Sequence, residues 1–324
     1  MRPMTINQAI REAIANEMAR DRRVVLFGES VEGSVGGTEA RGLTEAFPDQ
    51  VFDTPITENS TAGMALGMAL CGYRPIVHTM MAGFMLGGFE ETVPIAANWR
   101  AIHGAKAPPI ASVTIAPGGG GVGMGQEHTV FPTGLLAHFP GLKIAVPSNA
   151  ADAKGLMTAA IRDPNPVVIL PHLALTMSRG DVPEGEYVVS LGKARTVRTG
   201  TQATIAASSL STVLSMTAAD RLSAEGVDVD VIDLRTLEPL DLPAILESVA
   251  RTGRLVVVDD DIARCGMSAE ISALVMEQGF ESLRAPVQRV ARSNLALLAG
   301  ETLESAMIPS VDKIIAAVRE TLAY

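Results

Sequence analysis

A chain of 324 residues is long enough for two domains, and with 47 % hydrophobic residues but only 4 % aromatics its core must be filled by Ala, Val, Leu, Ile and Met. A net charge of −10 at pH 7, with no basic run of five or more, argues against a nucleic-acid partner, because phosphate-backbone binding runs on clustered Lys and Arg. No segment reaches about 18 uninterrupted apolar residues and the opening MRPMTINQAIREA has no apolar h-region, so no membrane span or secretory signal is expected.

Helical and strand signals alternate along the chain. Thr5 to Ala19 carries apolar residues at helical spacing (Ile6, Ala9, Ile10, Ala13, Met18), with Thr5 as its N-cap. The run Val24 to Phe27 reads as a buried strand ending at Gly28-Glu29, and Val51 to Ile56 as the next. Ser60 to Leu70 is a narrow helix rich in Ala, Gly and Met. Cys71 follows it. Cys71 and Cys265 are far apart, in small-residue contexts that match neither a disulfide framework nor a zinc spacing, and read as buried free thiols in a reducing cytoplasm. Pro75 to Thr79 is a strand, and Met85 to His103 is mostly helical, with Pro94 expected to start, kink or split a helix. Ile110 to Ile115 and Leu142 to Val146 are strands on either side of a Gly-rich loop. A helix over Ala151 to Arg162 and a strand over Pro166 to Leu170 follow. Continuous apolar strands between helices imply a mostly parallel sheet covered on both faces. Residues 178–192 break the pattern with charge, Pro and Gly, which divides the chain into domains 1–185 and 186–324. In the second, strands over Ala203 to Ala207, Val227 to Ile232, Leu255 to Val258 and Pro286 to Val290 alternate with helices over Leu210 to Ala224, Asp241 to Ala250, Ser268 to Gln278 and Val311 to Leu322. The expected fold is α/β, two domains that are each a mostly parallel sheet flanked by helices.

Parallel α/β sheets place their sites at the carboxyl ends of the strands. That rule selects Gly28-Glu29, Thr57-Glu58-Asn59 and the loop Pro117 to His128. Glu58 can face a ligand or merely complement a helix N-terminus. The loop APGGGGVGMGQEH parses as G-x-G-x-x-G, but the next strand ends in Val146-Pro147-Ser148, with no acid for a ribose, so a nicotinamide site is a poor match. A Gly-rich mobile loop delivering His128 reads at least as well. His78, His103, His138 and His172 have no partner at metal spacing, and Met80, Met81 and Met85 read most simply as core filler.

The ordered set VVLFGES (24–30), DTPITE (53–58), GYRPIVHTMMAGF (72–84), GQEH (125–128), PGLKIAVPSNAADAKGL (140–156), AAIRDPNPVVIL (159–170), DLRTLEPLD (233–241), TGRLVVVDD (252–260), RCGMSAEISALV (264–275) and APVQRV (285–290) covers nearly the whole chain. In that order and spacing it is similar to the β subunits of the E1 component of 2-oxo acid dehydrogenase complexes, pyruvate and acetoin dehydrogenases above all, within the transketolase-like thiamine-diphosphate family.

The resemblance implies roles. Glu58 matches the glutamate bonded to N1′ of the aminopyrimidine of thiamine diphosphate. By sharing a proton there it favours the imino form of the 4′-amino group, which deprotonates the thiazolium C2. Phe84 matches an aromatic packed on the pyrimidine, Met80 and Ile56 its apolar surroundings, Glu29 a second acid near the centre, and His128 a histidine facing the substrate. The sequence departs from the family at Pro171, where Glu is usual, at Thr176, where Tyr is frequent, at Pro94 inside a helix usually unbroken, and at Asn98 and Trp99. These departures bear on the substrate more than on the cofactor. The chain has no Gly-Asp-Gly motif to hold Mg²⁺. The resemblance therefore implies an α subunit that supplies the metal and the diphosphate half of the site, in an α₂β₂ tetramer. It also implies a lipoyl-bearing E2 acyltransferase as acceptor, a small 2-oxo acid or acetoin as substrate, and a cytoplasmic location. The rivals are the C-terminal half of a split transketolase and a non-catalytic partner subunit.

Overall fold

The computed structural model describes residues 1–32 and 39–324. Its strands are β1 (Arg2–Thr5), β2 (Val24–Gly28), β3 (Val51–Asp53), β4 (Arg74–His78), β5 (Val113–Ile115), β6 (Lys143–Ala145), β7 (Val167–Ile169), β8 (Arg179–Val182), β9 (Arg195–Arg198), β10 (Ala203–Ala207), β11 (Val229–Asp233), β12 (Thr236–Glu238), β13 (Leu255–Ile262) and β14 (Gln288–Arg292). One sheet has seven strands in the order β12-β6-β7-β5-β4-β2-β3, and a second has five in the order β14-β13-β10-β11-β9. Both are parallel except at one edge, where β12 and β9 run antiparallel to their neighbours. The protein is a two-domain α/β structure of mostly parallel, helix-flanked sheets, as the alternation implies.

Each element has a local cause. Thr5 accepts from the Gln8 amide at 3.1 Å while its own amide donates to the Gln8 side chain at 2.9 Å, a reciprocal cap that starts the helix Ile6–Arg20. Asn149 caps Ala150–Arg162 by accepting from the Asp152 amide. These two helices cover one face of the first sheet, and Ile10, Ile14, Leu156 and Met157 close a core with Leu26, Ile76 and Ile115. A second core joins the halves: Ile144, Val168 and Leu170 pack with Ile232, Leu237, Val257 and Met267.

Local detail refines several expectations. Residues 178–192 are not simply irregular, because β8 pairs antiparallel with β1. Pro94 lies inside a helical stretch and divides it by helix type. The chain winds through a 3₁₀ turn (Phe84–Gly88), a π turn (Glu91–Ile95) and an α-helix (Ala96–His103), and the wide turn accommodates the missing amide. Asn98 donates to the Pro94 carbonyl at 3.0 Å. Cys71 and Cys265 are free but exposed, not buried, since each sits in the turn at the end or start of a helix, Cys71 as a C-cap and Cys265 with φ +58° before Met267–Gly279. The Gly-rich segment is not a free loop. Gly118 donates to the Pro171 carbonyl at 3.1 Å and accepts from Leu173 at 2.7 Å, and Gly300 donates to Gly123 at 2.9 Å.

Two polar ties cross between the sheets. His172, fully buried, lies with Nε2 at 2.8 Å from Asp260 Oδ2, while its Nδ1 accepts from the Ala174 amide at 3.2 Å. The accepting Nδ1 puts the proton on Nε2, so His172 is the donor to Asp260. Asp233, at the end of β11, accepts from the Ser148 hydroxyl and lies 3.8 Å from the Arg195 guanidinium. Burial pushes the Asp233 carboxyl up to about 6, against the Ser148 hydrogen bond and with help from Asp152.

Replacing His172 by Ala leaves Asp260 buried with only the long Gly120 amide contact at 3.4 Å, and is expected to cost about 3 kcal/mol in urea unfolding. Asp260→Asn keeps an acceptor for Nε2 and should cost less. Asp233 has a folded-state pKa above its unfolded value near 3.8, so it stabilises the fold fully at low pH and loses that contribution as pH rises through about 6. Unfolding measured from about pH 4 to pH 7 should therefore show Asp233→Asn gaining on the wild type by on the order of 2 kcal/mol.

Candidate functional site at the carboxyl ends of the first sheet

The parallel pairing brings the ends of β2, β3, β4 and β5 to one edge: Gly28 faces Asp53 and His78, and His78 faces Ile115. Gly28 is required there. Its φ is +148°, and a Cβ would stand 2.2 Å from the His78 carbonyl oxygen. The close approach lets the Glu29 amide, one residue on, reach that same carbonyl at 3.4 Å.

Glu29 is buried beneath this edge. Burial holds its carboxyl above the usual range, the nearby Glu58 carboxylate adds to the rise, and His78 opposes it. His78 is itself buried, with Nε2 3.4 Å from the buried Glu39 carboxylate. Glu58 is half-buried and opens the helix Glu58–Leu70 directly, two residues before the expected start. That places it where the helix dipole favours an anion. Its wall is made of glycine. A Cβ on Gly87 would lie 3.1 Å from Glu58 Cβ and 3.4 Å from Oε2, and one on Gly88 would lie 2.6 Å from the Glu58 carbonyl. The 3₁₀ turn carrying Phe84 thus packs directly on the helix start.

Phe84 and His128 meet edge to face, ring centroids 5.4 Å apart at 73°. His128 sits on a one-turn helix, Gln126–Thr129, not on open loop. That turn is seated by Gly83, whose Cβ would strike the Glu127 carbonyl at 2.3 Å, and by the second domain, where Gln126 donates through its amide to Leu297 at 3.0 Å and accepts from the Leu297 amide at 2.9 Å. Gly83, Phe84, Leu86, Gln126, Glu127 and Val130 line a cavity of about 260 Å³. Of the remaining sequence candidates, Met80 is half-buried and Ile56 is 73 % exposed, beyond the end of β3 and not within a strand. Pro171 and Thr176 serve the scaffold. Pro171 accepts from Gly118, and the Thr176 carbonyl accepts from Asn7 at 3.2 Å.

Sequence reasoning missed Asp260 and Glu304. Asp260 holds His172 and lies 3.4 Å from the Gly120 amide, and Glu304, fully buried, accepts from the Gly123 amide. No local pattern could have paired residues so distant in the chain. Among the described residues, no group of three or more His, Cys, Asp or Glu is arranged to hold a metal ion, and no helix is long and apolar enough to cross a membrane.

Residues 2–177 match the transketolase pyrimidine-binding domain and residues 192–314 the transketolase C-terminal domain. The chain is 39 % identical to the acetoin:2,6-dichlorophenolindophenol oxidoreductase subunit beta of Cupriavidus necator, over 99 % of this chain and 98 % of that one. It is 39 % identical to the pyruvate dehydrogenase E1 component subunit beta of Staphylococcus epidermidis over the full length of both. A solved split gene transketolase, described as an inactive beta4 tetramer, shares the fold with a TM-score of 0.80 and 23 % identity, over 99 % of this chain and 98 % of that one. With these matches along its whole length, the chain belongs to the transketolase-fold family of E1 β subunits.

Proposed function

We propose that this chain is the β subunit of a thiamine-diphosphate-dependent E1 that decarboxylates a 2-oxo acid, or cleaves acetoin, and passes the acyl group to the lipoyl arm of an E2 protein. The observation that carries the reading is Glu58. It is a carboxylate at the carboxyl edge of a parallel sheet, against a glycine wall, with a second acid buried behind it and the Phe84–His128 pair beyond the same turn.

These residues fit one end of the cofactor. Glu58 would bond the pyrimidine N1′, with Glu29, whose own carboxyl is held above the usual range by burial and by the neighbouring Glu58, behind it. Phe84 would pack on the ring, with Met80 and Ile56 as its apolar surroundings. His128, oriented by Phe84, would donate a hydrogen bond or proton to the substrate. Bound thiamine diphosphate supplies the carbanion chemistry at the substrate carbonyl. Mg²⁺ and the diphosphate end fall to an α subunit, in an α₂β₂ assembly of the cytoplasm. Residues 1–185 would form the pyrimidine-binding domain, and residues 186–324 would serve subunit contact and E2 docking.

The chain mixed with its α subunit, thiamine diphosphate, Mg²⁺ and an artificial electron acceptor should turn over one of pyruvate, a branched 2-oxo acid or acetoin. Glu58→Ala should lower that turnover by about 10²- to 10⁴-fold with the assembly intact. Turnover of ketose phosphates in place of these substrates would instead make it half of a split transketolase, and unchanged activity in Glu58→Ala would make it a silent partner. Gly87→Ala provides a subtler probe. Its Cβ would press on Glu58, so kcat should fall while thermal stability stays within about 1 kcal/mol of the wild type.

A further inference from the structure

Where the two halves meet, a cavity of about 380 Å³ opens on the far side of the turn that carries His128. Arg292, the last residue of β14, lines it. Arg292 is only 3 % exposed, and its Nε and Nη1 are buried with no hydrogen-bond partner. A guanidinium offers five N–H donors and accepts nothing, and buried donors in folded proteins are almost always satisfied.

The nearby acids do not satisfy it. Asp261 is close enough to feel the Arg292 charge, but its carboxylate is already engaged. Oδ2 accepts from the Gly134 amide at 2.9 Å and the Thr133 hydroxyl at 3.3 Å, and Oδ1 from the Ile262 amide at 2.7 Å. Asp260 is held by His172, and Asp259 accepts from the Ser268 and Asp261 amides. A second guanidinium, Arg264, lines the same cavity and is exposed at its mouth. Gln126 also lines it. With its side-chain oxygen taken by the Leu297 amide, its NH₂ group remains as a donor. The cavity thus presents two guanidiniums and an amide donor against one carboxylate that already accepts three hydrogen bonds.

We propose that this cavity binds a small oxyanion, a carboxylate or a phosphate, held by Arg292 with Arg264 at the entrance. Gln126 and Val130 line this cavity and also the one beside Phe84, so an anion here bears on the same helical turn that presents His128. The proposal does not depend on the reaction the protein catalyses.

The test is thermal unfolding of the full chain with added inorganic phosphate or, separately, acetate, at constant ionic strength. One of the two should raise the Tm saturably, by about 5 °C at a hundredfold excess over its Kd, and the one that saturates at lower concentration identifies the class. The rise should vanish in Arg292→Met and shrink in Arg264→Ala. Without added anion Arg292→Met should stay within about 1 kcal/mol of the wild type, because losing two buried unsatisfied donors offsets the loss of the Arg292 charge near Asp261. Equal responses of wild type and Arg292→Met to both anions would overturn the proposal and leave the cavity to water. Should Arg292→Met fail to fold, crystals of the wild-type protein, alone or with its α subunit, soaked in selenate or in 4-bromobenzoate, whose aryl bromide does not alkylate the Cys265 thiol in the same cavity, decide the matter. An anomalous peak within hydrogen-bond distance of Arg292 supports the site. An empty cavity, or one filled by a neighbouring subunit's side chain, overturns it.

Discussion

The hydrogen bond between His172 and Asp260 fixes the relation on which the site rests. Both residues are out of solvent, and they come from different sheets. In so apolar a setting the bond is directional, and neither group can exchange its partner for water. The Gly-rich segment lies directly over it. A Cβ on Gly119 would stand 2.2 Å from His172 Nε2, and the Gly120 amide points at Asp260. The segment can run there only because Gly119 and Gly120 have no side chains, and it then delivers the short helix bearing His128 to Phe84. The second domain therefore shapes the candidate site from behind, with Glu304 and Leu297 extending the same grip along the segment.

Glycine does comparable work on the other side of the site. Gly28 admits the His78 carbonyl, and Gly87 and Gly88 admit the start of the helix opened by Glu58. Gly28 and Gly88 remove a Cβ where two backbones approach, and Gly87 removes one where it would press on the Glu58 side chain. With few aromatics in the chain, small residues bring the elements close and buried polar pairs set their register.

The fold was largely legible in the sequence, because continuous apolar runs such as Val24 to Phe27 can be buried only in a covered parallel sheet, and the strand ends then nominate Glu29 and Glu58. The helix opens at Glu58, two residues before Ser60, with Thr57 at its N-cap making no side-chain hydrogen bond. The exposure of the cysteines is hidden from the sequence because small apolar neighbours signal burial in a helix interior but not at its ends. The partnerships His172–Asp260, Gly123–Glu304 and Ser148–Asp233 were invisible, since each joins residues separated by 85 to 181 positions and depends on how two independent sheets dock. The unsatisfied Arg292 belongs to the same category.

The short strand Thr236–Glu238 leaves the second half of the chain to complete the edge of the first half's sheet beside Lys143–Ala145. A fragment cut between the halves would carry β6 as a bare edge, ready to pair with any extended segment it met. The two halves are therefore unlike beads on a string. Any exchange of domains between relatives, in the laboratory or in descent, would have to carry this strand with the sheet it seals, although it is encoded among the residues of the other half.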